Sequence, residues 1–285
     1  MRIEINTFIQ QNLKKLTNKN FSKKYISQFI IPIINKINNS QDNKFIIAGS
    51  QGAGKSTLAE IFQLVLENVY KKKVMLLSID DYYLSKNKRI KLSKKIHPLL
   101  TTRGVPGTHD IVALKNDIIN FQKKNFPIIT PKFNKLKDDV SIKKKIIKNA
   151  EILLLEGWCC GSKSINKEYL FQNINRLETK FDTNKKWRQY YNSQLMKDYK
   201  KVFSLFDQQI YIQPPSFSYI LKWRYAQEKN NALKSQNQNF MSKKDLQIFI
   251  QYYEKLTKWM MKTMPAKADI LIKIDSNQKI KKVII

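Results

Sequence analysis

The chain has 285 residues, of which 42% are hydrophobic, and this is enough to build a proper core in one large domain or two small ones. Its formal net charge at pH 7 is +31, from 53 lysines and arginines against 22 aspartates and glutamates. No apolar run approaches the roughly 18 residues that a membrane-spanning helix requires, and no signal-peptide core follows Met1. We therefore expect a cytoplasmic protein without a membrane partner.

The positive charge does not by itself predict a nucleic-acid partner. Lysine greatly outnumbers arginine, and the lysines are scattered in twos and threes instead of forming one stripe with interleaved aromatic residues. Lysine, asparagine and isoleucine share A/T-rich codons, so a genome of low G+C content accounts for the bias. We therefore do not expect nucleic-acid binding as a function.

Residues 1–43 precede the first predicted strand. Their apolar residues recur at helical spacing and predict two amphipathic helices, with Pro32 bending or restarting the second. We expect this N-terminal helical extension to pack as a layer on the main domain, and a partner surface is the alternative. The apolar positions are Phe8, Leu13, Leu16, Phe21, Tyr25, Phe29, Ile33 and Ile37.

Residues 49–57 match the phosphate-binding pattern G-x-x-x-x-G-K-[ST] and lie between a short apolar strand, 45–48, and a helical apolar pattern. Glycines at the first, fourth and sixth positions let the backbone curl with its N–H groups pointing inward. A chance match in a glycine turn is the alternative, but three of the chain's seven glycines lie here. The candidate nucleotide contacts are Gly49, Ser50, Gln51, Gly52, Ala53, Gly54, Lys55, Ser56 and Thr57.

Two side chains of this loop are expected to carry chemistry. Lys55 is placed to reach the β- and γ-phosphates of a bound nucleotide and to assist their transfer. The Ser56 hydroxyl is placed to bind Mg²⁺. The helix that begins here adds the positive end of its dipole, which favours the negative phosphates.

Further along the chain, buried strands alternate with helical patterns. The predicted strands cover residues 74–79, 127–131, 151–158, 209–213 and 269–274. The predicted helices cover residues 111–121, parts of 162–207, 216–229 and 242–262. Residues 85–110 have loop composition, and the lysine-rich residues 134–150 are expected to form an exposed excursion. The alternation predicts an α/β fold of the P-loop NTPase kind, with a doubly wound, mainly parallel sheet flanked by helices in one domain over 44–285.

Ligands of open parallel sheets bind beyond the carboxyl ends of the strands, and two carboxylates fall there. Asp80 ends the second strand and is the candidate base for an acceptor hydroxyl that attacks the γ-phosphate; a strand-end cap is the alternative. Glu156 ends a later strand and is a candidate Mg²⁺ ligand, directly or through water; a surface carboxylate before a turn is the alternative. Asp81 and Tyr83, beside Asp80, are candidates for contact with the substrate.

Three basic residues are further candidates for substrate binding. Arg103 and His109 bracket a Gly-Val-Pro-Gly-Thr segment whose backbone suits a small anion, and Arg103 offers a bidentate fork to a carboxylate. A structural histidine is the alternative for His109. Arg224, on the helix predicted at 216–229, is a candidate lid arginine that offsets charge on the phosphates, and a surface salt bridge is the alternative.

Several segments resemble the P-loop D-glycerate 3-kinases of plants, cyanobacteria and fungi, a group similar to the phosphoribulokinase, uridine kinase and pantothenate kinase families. The most specific is Arg-Gly-Val-Pro-Gly-Thr-His-Asp at 103–110, because the glycine loop alone fits hundreds of NTPases. The resemblance implies that Asp80 is the strand-end base and Glu156 the metal-associated acid. It also implies that Arg103 and His109 belong to the glycerate kinase signature. The other segments are 49–57, 78–84, 155–158, 210–213 and 223–228.

The chain departs from that family in one segment. Glycerate kinases usually continue a Pro-x-Tyr-Asp-Lys-Ser stretch into a glycine-rich loop, whereas residues 131–145 contain no glycine and place Asn134 where an aspartate is usual. The hypothesis is an ATP- and Mg²⁺-dependent kinase of a small hydroxy acid, with D-glycerate favoured. A nucleoside, a sugar phosphate or a pantothenate-like acceptor is the alternative, as is a nucleotide-binding regulator or polyanion-binding protein.

Overall fold

The computed structural model describes residues 4–235 and 241–285, so the first three residues of the predicted extension 1–43 lie outside the described part. The strands are β1 Lys44–Gly49, β2 Val74–Ser78, β3 Ile128–Thr130, β4 Phe133–Asn134, β5 Asp139–Val140, β6 Lys145–Ile147, β7 Ile152–Gly157, β8 Gln208–Gln213, β9 Ile270–Ile274 and β10 Ile280–Ile284. The helices are α1 Ile5–Thr17, α2 Lys23–Tyr25, α3 Ile31–Asn39, α4 Lys55–Asn68, α5 Lys86–Lys95, α6 Ile111–Gln122, α7 Lys167–Phe171, α8 Arg176–Phe181, α9 Lys186–Gln194, α10 Lys200–Phe203, α11 Ser218–Ser235 and α12 Lys243–Thr263. None of the described helices is both long enough and apolar enough to cross a membrane.

Six strands form one sheet in the order β10-β9-β8-β1-β7-β2. All neighbouring pairs are parallel except β9 and β10, which run antiparallel. This confirms the predicted α/β fold with a mainly parallel sheet. The edge strand β10 was not predicted, because its two lysines and exposed residues break the apolar run that marks the other strands.

The central strand β1 divides the hydrophobic core into two layers. Successive side chains of a strand point to opposite faces, so Phe45 and Ile47 belong to one buried cluster, whereas Ile46 and Ala48 belong to the other. The first cluster packs β1 against α1, α3 and α4, and the second packs it against α6, α9 and part of α12. Helices therefore cover both faces of the sheet, in agreement with the buried apolar runs in its inner strands β1 and β7.

The N-terminal helices share the cluster of the phosphate-loop helix. Ile9 of α1 and Ile33 of α3 are fully buried in the same cluster as Phe62 of α4. A π-helical segment, Ile26–Ile30, precedes α3, and Pro32 falls in the first turn of α3, where a missing N–H costs no helical hydrogen bond. The helix therefore restarts near Pro32, as the sequence indicated.

Residues 85–110, expected to be loop, contain helix α5 and a 3₁₀ turn, Pro98–Thr101. Helical periodicity does not show α5 because its only buried residue is Arg89. The Arg89 guanidinium donates to the carbonyls of Leu84, Thr101 and Asp138, and the Asp138 carboxylate at 2.9 Å compensates its charge. The prediction of loop was wrong here because a buried arginine takes the place of an apolar stripe.

Residues 134–150, expected to be an exposed excursion, contain regular structure. Strands β4 and β5 form a short antiparallel hairpin, and β6 pairs with β3 in a second two-stranded sheet outside the main one. Leu136 and Ile142 are exposed, in agreement with the expectation. The hairpin is nevertheless bound to the main domain, because Lys132 forms an ion pair with Asp81 and Lys135 forms one with Asp80.

A buried ion cluster joins helices α8, α9 and α12. Arg188 Nε lies 2.7 Å from Asp182 Oδ2, and Lys255 Nζ lies 3.4 Å from Glu178 Oε2. All four side chains are at most 2% exposed, and the cluster carries two positive and two negative groups. Removal of one member leaves an uncompensated charge in the interior.

We predict that Arg188→Met lowers the free energy of unfolding by about 3–5 kcal/mol, because Asp182 then stays buried without its partner. Urea denaturation followed by circular dichroism measures this loss. The control is Lys258→Met, which breaks a more exposed pair with Glu254 and is expected to cost less than about 1 kcal/mol. Equal losses in the two variants would contradict the prediction.

Candidate active site

A cavity of about 820 Å³ opens at the carboxyl ends of β1, β2 and β7. Most of the predicted site residues line it, and they come from segments far apart in the chain. Four predicted residues are not among its lining: Gly49, Ser50, Asp81 and His109. The predicted residues that line the cavity are Gln51, Gly52, Ala53, Gly54, Lys55, Ser56, Thr57, Asp80, Tyr83, Arg103, Glu156 and Arg224.

The phosphate loop has the open backbone that a phosphate needs. Gly52 and Gly54 have φ angles of +74° and +89°, which side chains of L-residues rarely tolerate. A Cβ at Gly52 would also lie 2.8 Å from Trp223 Cβ, so the approach of α11 requires glycine there. The loop leads into the N-terminus of α4, whose free N–H groups and dipole favour an anion.

Lys55 lies at the start of α4 and points back into the loop. Its ammonium donates to the carbonyl of Ser50 at 2.9 Å, and the residue is only 8% exposed. Burial lowers the pKa of Lys55, while the nearby carboxylates of Glu156 and Asp80 raise it. The Lys55 ammonium therefore lies between the loop and the carboxylates of Glu156 and Asp80.

Asp80 is held in its ionised form by direct partners. Lys135 Nζ and the Tyr83 hydroxyl donate to its two oxygens at 2.6 Å and 2.7 Å. Burial alone would raise the pKa of Asp80, but the charge and hydrogen bond of Lys135 outweigh it, and the pKa lies below its usual value. Asp80 therefore accepts hydrogen bonds as a carboxylate at neutral pH.

Glu156 and Ser56 carry the oxygen atoms that could hold Mg²⁺ at this site. Glu156 accepts a hydrogen bond from Ser78 Oγ at 2.6 Å, and the Ser56 side chain is exposed to the cavity. Burial raises the pKa of Glu156, and the charge of Lys55 opposes that rise. Among the described residues no group of three or more acidic, histidine or cysteine side chains could hold a metal alone. Mg²⁺ usually keeps one or two protein oxygens and takes its other ligands from phosphates and water.

One wall of the cavity is aromatic and cationic. The Tyr83 ring stacks on His109 with 4.8 Å between centroids and meets the Phe133 ring edge-on at 5.1 Å. The Arg103 guanidinium lies 5.5 Å from the centre of the Phe133 ring and forms an ion pair with Asp138. Arg103 therefore faces the cavity with its charge partly compensated from behind.

His109 and Asp81 stand behind this wall and support it. His109 is 4% exposed, and its Nδ1 lies 2.6 Å from the Tyr199 hydroxyl. Burial lowers the pKa of His109 to about 4, so the ring is neutral at pH 7. Asp81 accepts from Lys132 Nζ at 2.6 Å and from the Phe133 backbone N–H at 3.2 Å, and it thereby fixes the hairpin.

Arg224 lines the cavity from helix α11. Its guanidinium donates to Gln227 Oε1 at 2.8 Å and forms an ion pair with Glu228, both on the same helix.

Sequence reasoning missed Lys135, because it is one lysine in a lysine-rich stretch. It also missed Tyr253, whose hydroxyl donates to the Arg103 carbonyl at 2.7 Å.

The first glycine of the segment 103–110 is Gly104, and both its backbone conformation and its packing require glycine. The residue has a φ of +120°, and a Cβ there would overlap the Tyr253 ring. The indole N–H of Trp158 donates to the Gly104 carbonyl at 2.9 Å, which fixes the segment from the other side. The rigid backbone presents the Arg103 side chain to the cavity.

The chain is similar in sequence to several kinases. No family model matches the chain. It is 28% identical over 218 residues to mug58, an uncharacterized kinase of Schizosaccharomyces pombe, which is 73% of this chain and 76% of that protein. It is 27% identical over 215 residues to the chloroplastic D-glycerate 3-kinase of Arabidopsis thaliana, which is 71% of this chain and 44% of that protein. It is 33% identical over 112 residues to the pantothenate kinase of Ligilactobacillus salivarius, which is 39% of this chain and 35% of that protein.

Solved structures share the fold over nearly the whole length. The D-glycerate 3-kinase of Cryptococcus neoformans superposes with a TM-score of 0.69 at 20% identity, covering 98% of this chain and 97% of that one. The YGR205w protein superposes with a TM-score of 0.66 at 22% identity, covering 96% of this chain and 97% of that one. At these identities the likeness establishes the fold alone, and the chain therefore has the P-loop kinase fold that its sequence predicts.

Proposed function

We propose that the protein is an ATP-dependent kinase that transfers the γ-phosphoryl group to a hydroxyl of a small carboxylate, most simply D-glycerate to give 3-phosphoglycerate. The observation that carries the proposal is the shared cavity of about 820 Å³, in which the phosphate loop and Asp80 face the same space. Its volume suits a nucleotide and a small acceptor together. A cytoplasmic location without a nucleic-acid partner belongs to the same proposal.

The arrangement supports direct transfer between two bound substrates. The acceptor hydroxyl donates its hydrogen bond to Asp80 and attacks the γ-phosphorus, so a new O–P bond forms while the bond to the β–γ bridging oxygen breaks and ADP leaves. The proton passes to the Asp80 carboxylate late in the reaction, because phosphoryl transfer is loose and the base chiefly orients the nucleophile. Lys55 holds the β- and γ-phosphates. Ser56 and Glu156 would hold Mg²⁺, which neutralises phosphate charge when bound.

Two cations make a carboxylate-bearing acceptor fit this cavity. Lys135 uses one of its three N–H donors on Asp80, and Arg103 uses part of its five-donor fork on Asp138. The remaining donors of both side chains are available to an acceptor carboxylate, which would form charge-assisted hydrogen bonds. Tyr83 also lines the cavity, and His109 and Asp81 support this wall from behind.

Two hydroxy acids of different size are candidates for the acceptor. The D-glycerate 3-kinase relatives support a hydroxy acid, whereas the pantothenate kinase match keeps a larger hydroxy acid as a second candidate. The observation that favours this second candidate is the departure of residues 131–145 from the glycerate kinase pattern, because the hairpin in that segment borders the cavity. Both candidates carry a carboxylate and a primary hydroxyl.

We predict that D-glycerate stimulates ADP formation by the purified protein well above hydrolysis by water. The measurement is a coupled ADP assay with a panel of hydroxy acids, pantothenate, nucleosides and sugar phosphates at equal concentration. Stimulation by pantothenate or by a nucleoside in place of D-glycerate would change only the acceptor. If no acceptor raised the rate of ADP formation above the rate of ATP hydrolysis by water, the kinase proposal would be wrong.

We predict that Asp80→Asn lowers kcat by about 10²- to 10⁴-fold with D-glycerate, because the amide cannot take the hydroxyl proton. ATP binding by calorimetry is expected to stay within about threefold, since Lys55 and the loop hold the phosphates. The control is Asp198→Asn, which alters a surface carboxylate that pairs with Lys201. Parallel loss of ATP binding and turnover in Asp80→Asn would contradict the assigned role.

We predict that Lys135→Met raises the KM for the acceptor by about tenfold, because it removes a charge-assisted hydrogen bond to the acceptor carboxylate. The KM for ATP is expected to change by less than about twofold. Lys135→Arg keeps the charge and is expected to recover part of the loss. Lys137→Met, in the same hairpin, is the matched control, and an equal effect in it would show that hairpin charge in general is responsible.

A further inference from the structure

Besides the phosphate loop and residues of α11 and α12, the lining of the cavity has two ends. One end is formed by Asp80, Arg103, Lys135 and Glu156, which the proposed function uses for the acceptor and the phosphates. The other end is formed by the N-terminal extension and by the turn between β9 and β10. Its lining includes Leu16, Asn18, Phe21, Tyr25, Gln278 and Ile280.

A nucleotide bound by its phosphates at the loop must extend away from the acceptor. The acceptor end is occupied by the reacting groups, and the N-terminal end is the part of the lining that combines aromatic surface with carboxamides. That end offers what a purine base requires: a flat apolar surface and side chains that both donate and accept hydrogen bonds. Phe21 and Tyr25 supply aromatic surface with 5.4 Å between ring centroids, and Asn18 and Gln278 supply carboxamides.

Direct contacts bind the N-terminal segment to this end of the cavity. The Tyr25 hydroxyl accepts from the Ile280 N–H at 2.7 Å, and Lys19 Nζ lies 3.4 Å from Gln278 Oε1. The Gln278 amide in turn donates to the carbonyl of Gly52 in the phosphate loop. Through Gln278 the segment is thus connected to the phosphate loop itself.

We propose that the segment 17–25 of the N-terminal extension, together with the turn 275–280, forms the adenine subsite, with Phe21 against the base and the Asn18 carboxamide at its edge. This inference rests on the proposed use of ATP and gives the extension a part in nucleotide binding. Asn18 and Gln278 both have left-handed backbone, with φ of +56° and +66°. Asn18 caps the C-terminus of α1, and Gln278 lies in the turn between β9 and β10, so local backbone structure holds each carboxamide in the cavity lining.

Calorimetry with two probes separates the base from the phosphates. ADP occupies both the loop and the subsite, whereas inorganic tripolyphosphate occupies the loop alone. Asn18→Gly keeps the left-handed backbone and removes only the carboxamide, and Phe21→Leu keeps apolar bulk and removes the ring. Each variant is expected to raise the Kd for ADP by about fivefold or more and to leave the Kd for tripolyphosphate unchanged.

The matched control is Lys71→Gly, which introduces glycine at another exposed left-handed position, with φ of +58°, outside the cavity lining. It is expected to bind both probes as the parent protein does, and circular dichroism verifies that every variant is folded. Equal weakening of ADP and tripolyphosphate, or no change in the folded Asn18 and Phe21 variants, would overturn the subsite. Failure of the parent protein to bind either probe would instead remove the proposed function itself.

Discussion

The pairing of three parallel strands determines where the chemistry of this protein lies. In the register of the sheet, Glu156 of β7 stands opposite Ile47 of β1 on one side and opposite Ser78 of β2 on the other. The phosphate loop and Asp80 follow two of these strands within a few residues. Because the backbone hydrogen bonds of a buried sheet hold that register firmly, the two acids and the loop keep their relative positions without a dedicated scaffold.

The sequence predicted this framework well because its signals are local. Apolar runs identify β1, β2 and β7, and the glycine loop identifies the strand that carries it, so the lining residues Asp80 and Glu156 follow from the fold class. Helix α5 escaped prediction because its buried residue is an arginine, whose partners are carbonyls from three other segments. Lys135 was missed for a related reason. What distinguishes it from the lysines around it is its ion pair with Asp80, a residue 55 positions away in the chain. Ion pairs between distant segments leave no periodicity in a sequence.

The hairpin of β4 and β5 contacts both the main domain and the cavity. The backbone N–H of Phe133 donates to Asp81 of the main domain, and the Phe133 ring packs against Tyr83. Lys135 lines the cavity and pairs with Asp80. The same short segment is where the chain departs from the glycerate kinase pattern. A change of acceptor could therefore come about through a few substitutions in an edge element, leaving the core, the loop and the buried ion cluster undisturbed.

The division of the chain at residue 43 remains a prediction, and the shared hydrophobic cluster of α1, α3 and α4 shows how closely the two parts are packed.

The bond from Gln278 to the Gly52 carbonyl spans 226 positions of sequence. During translation the phosphate loop therefore leaves the ribosome long before the turn that braces it. An incomplete nascent chain holds a loop without that brace, and strands β8 and β9 must also pair before the turn can reach it. If the loop binds a nucleotide as proposed, full affinity would be acquired late in biosynthesis, when the last parallel strand has been added to the sheet.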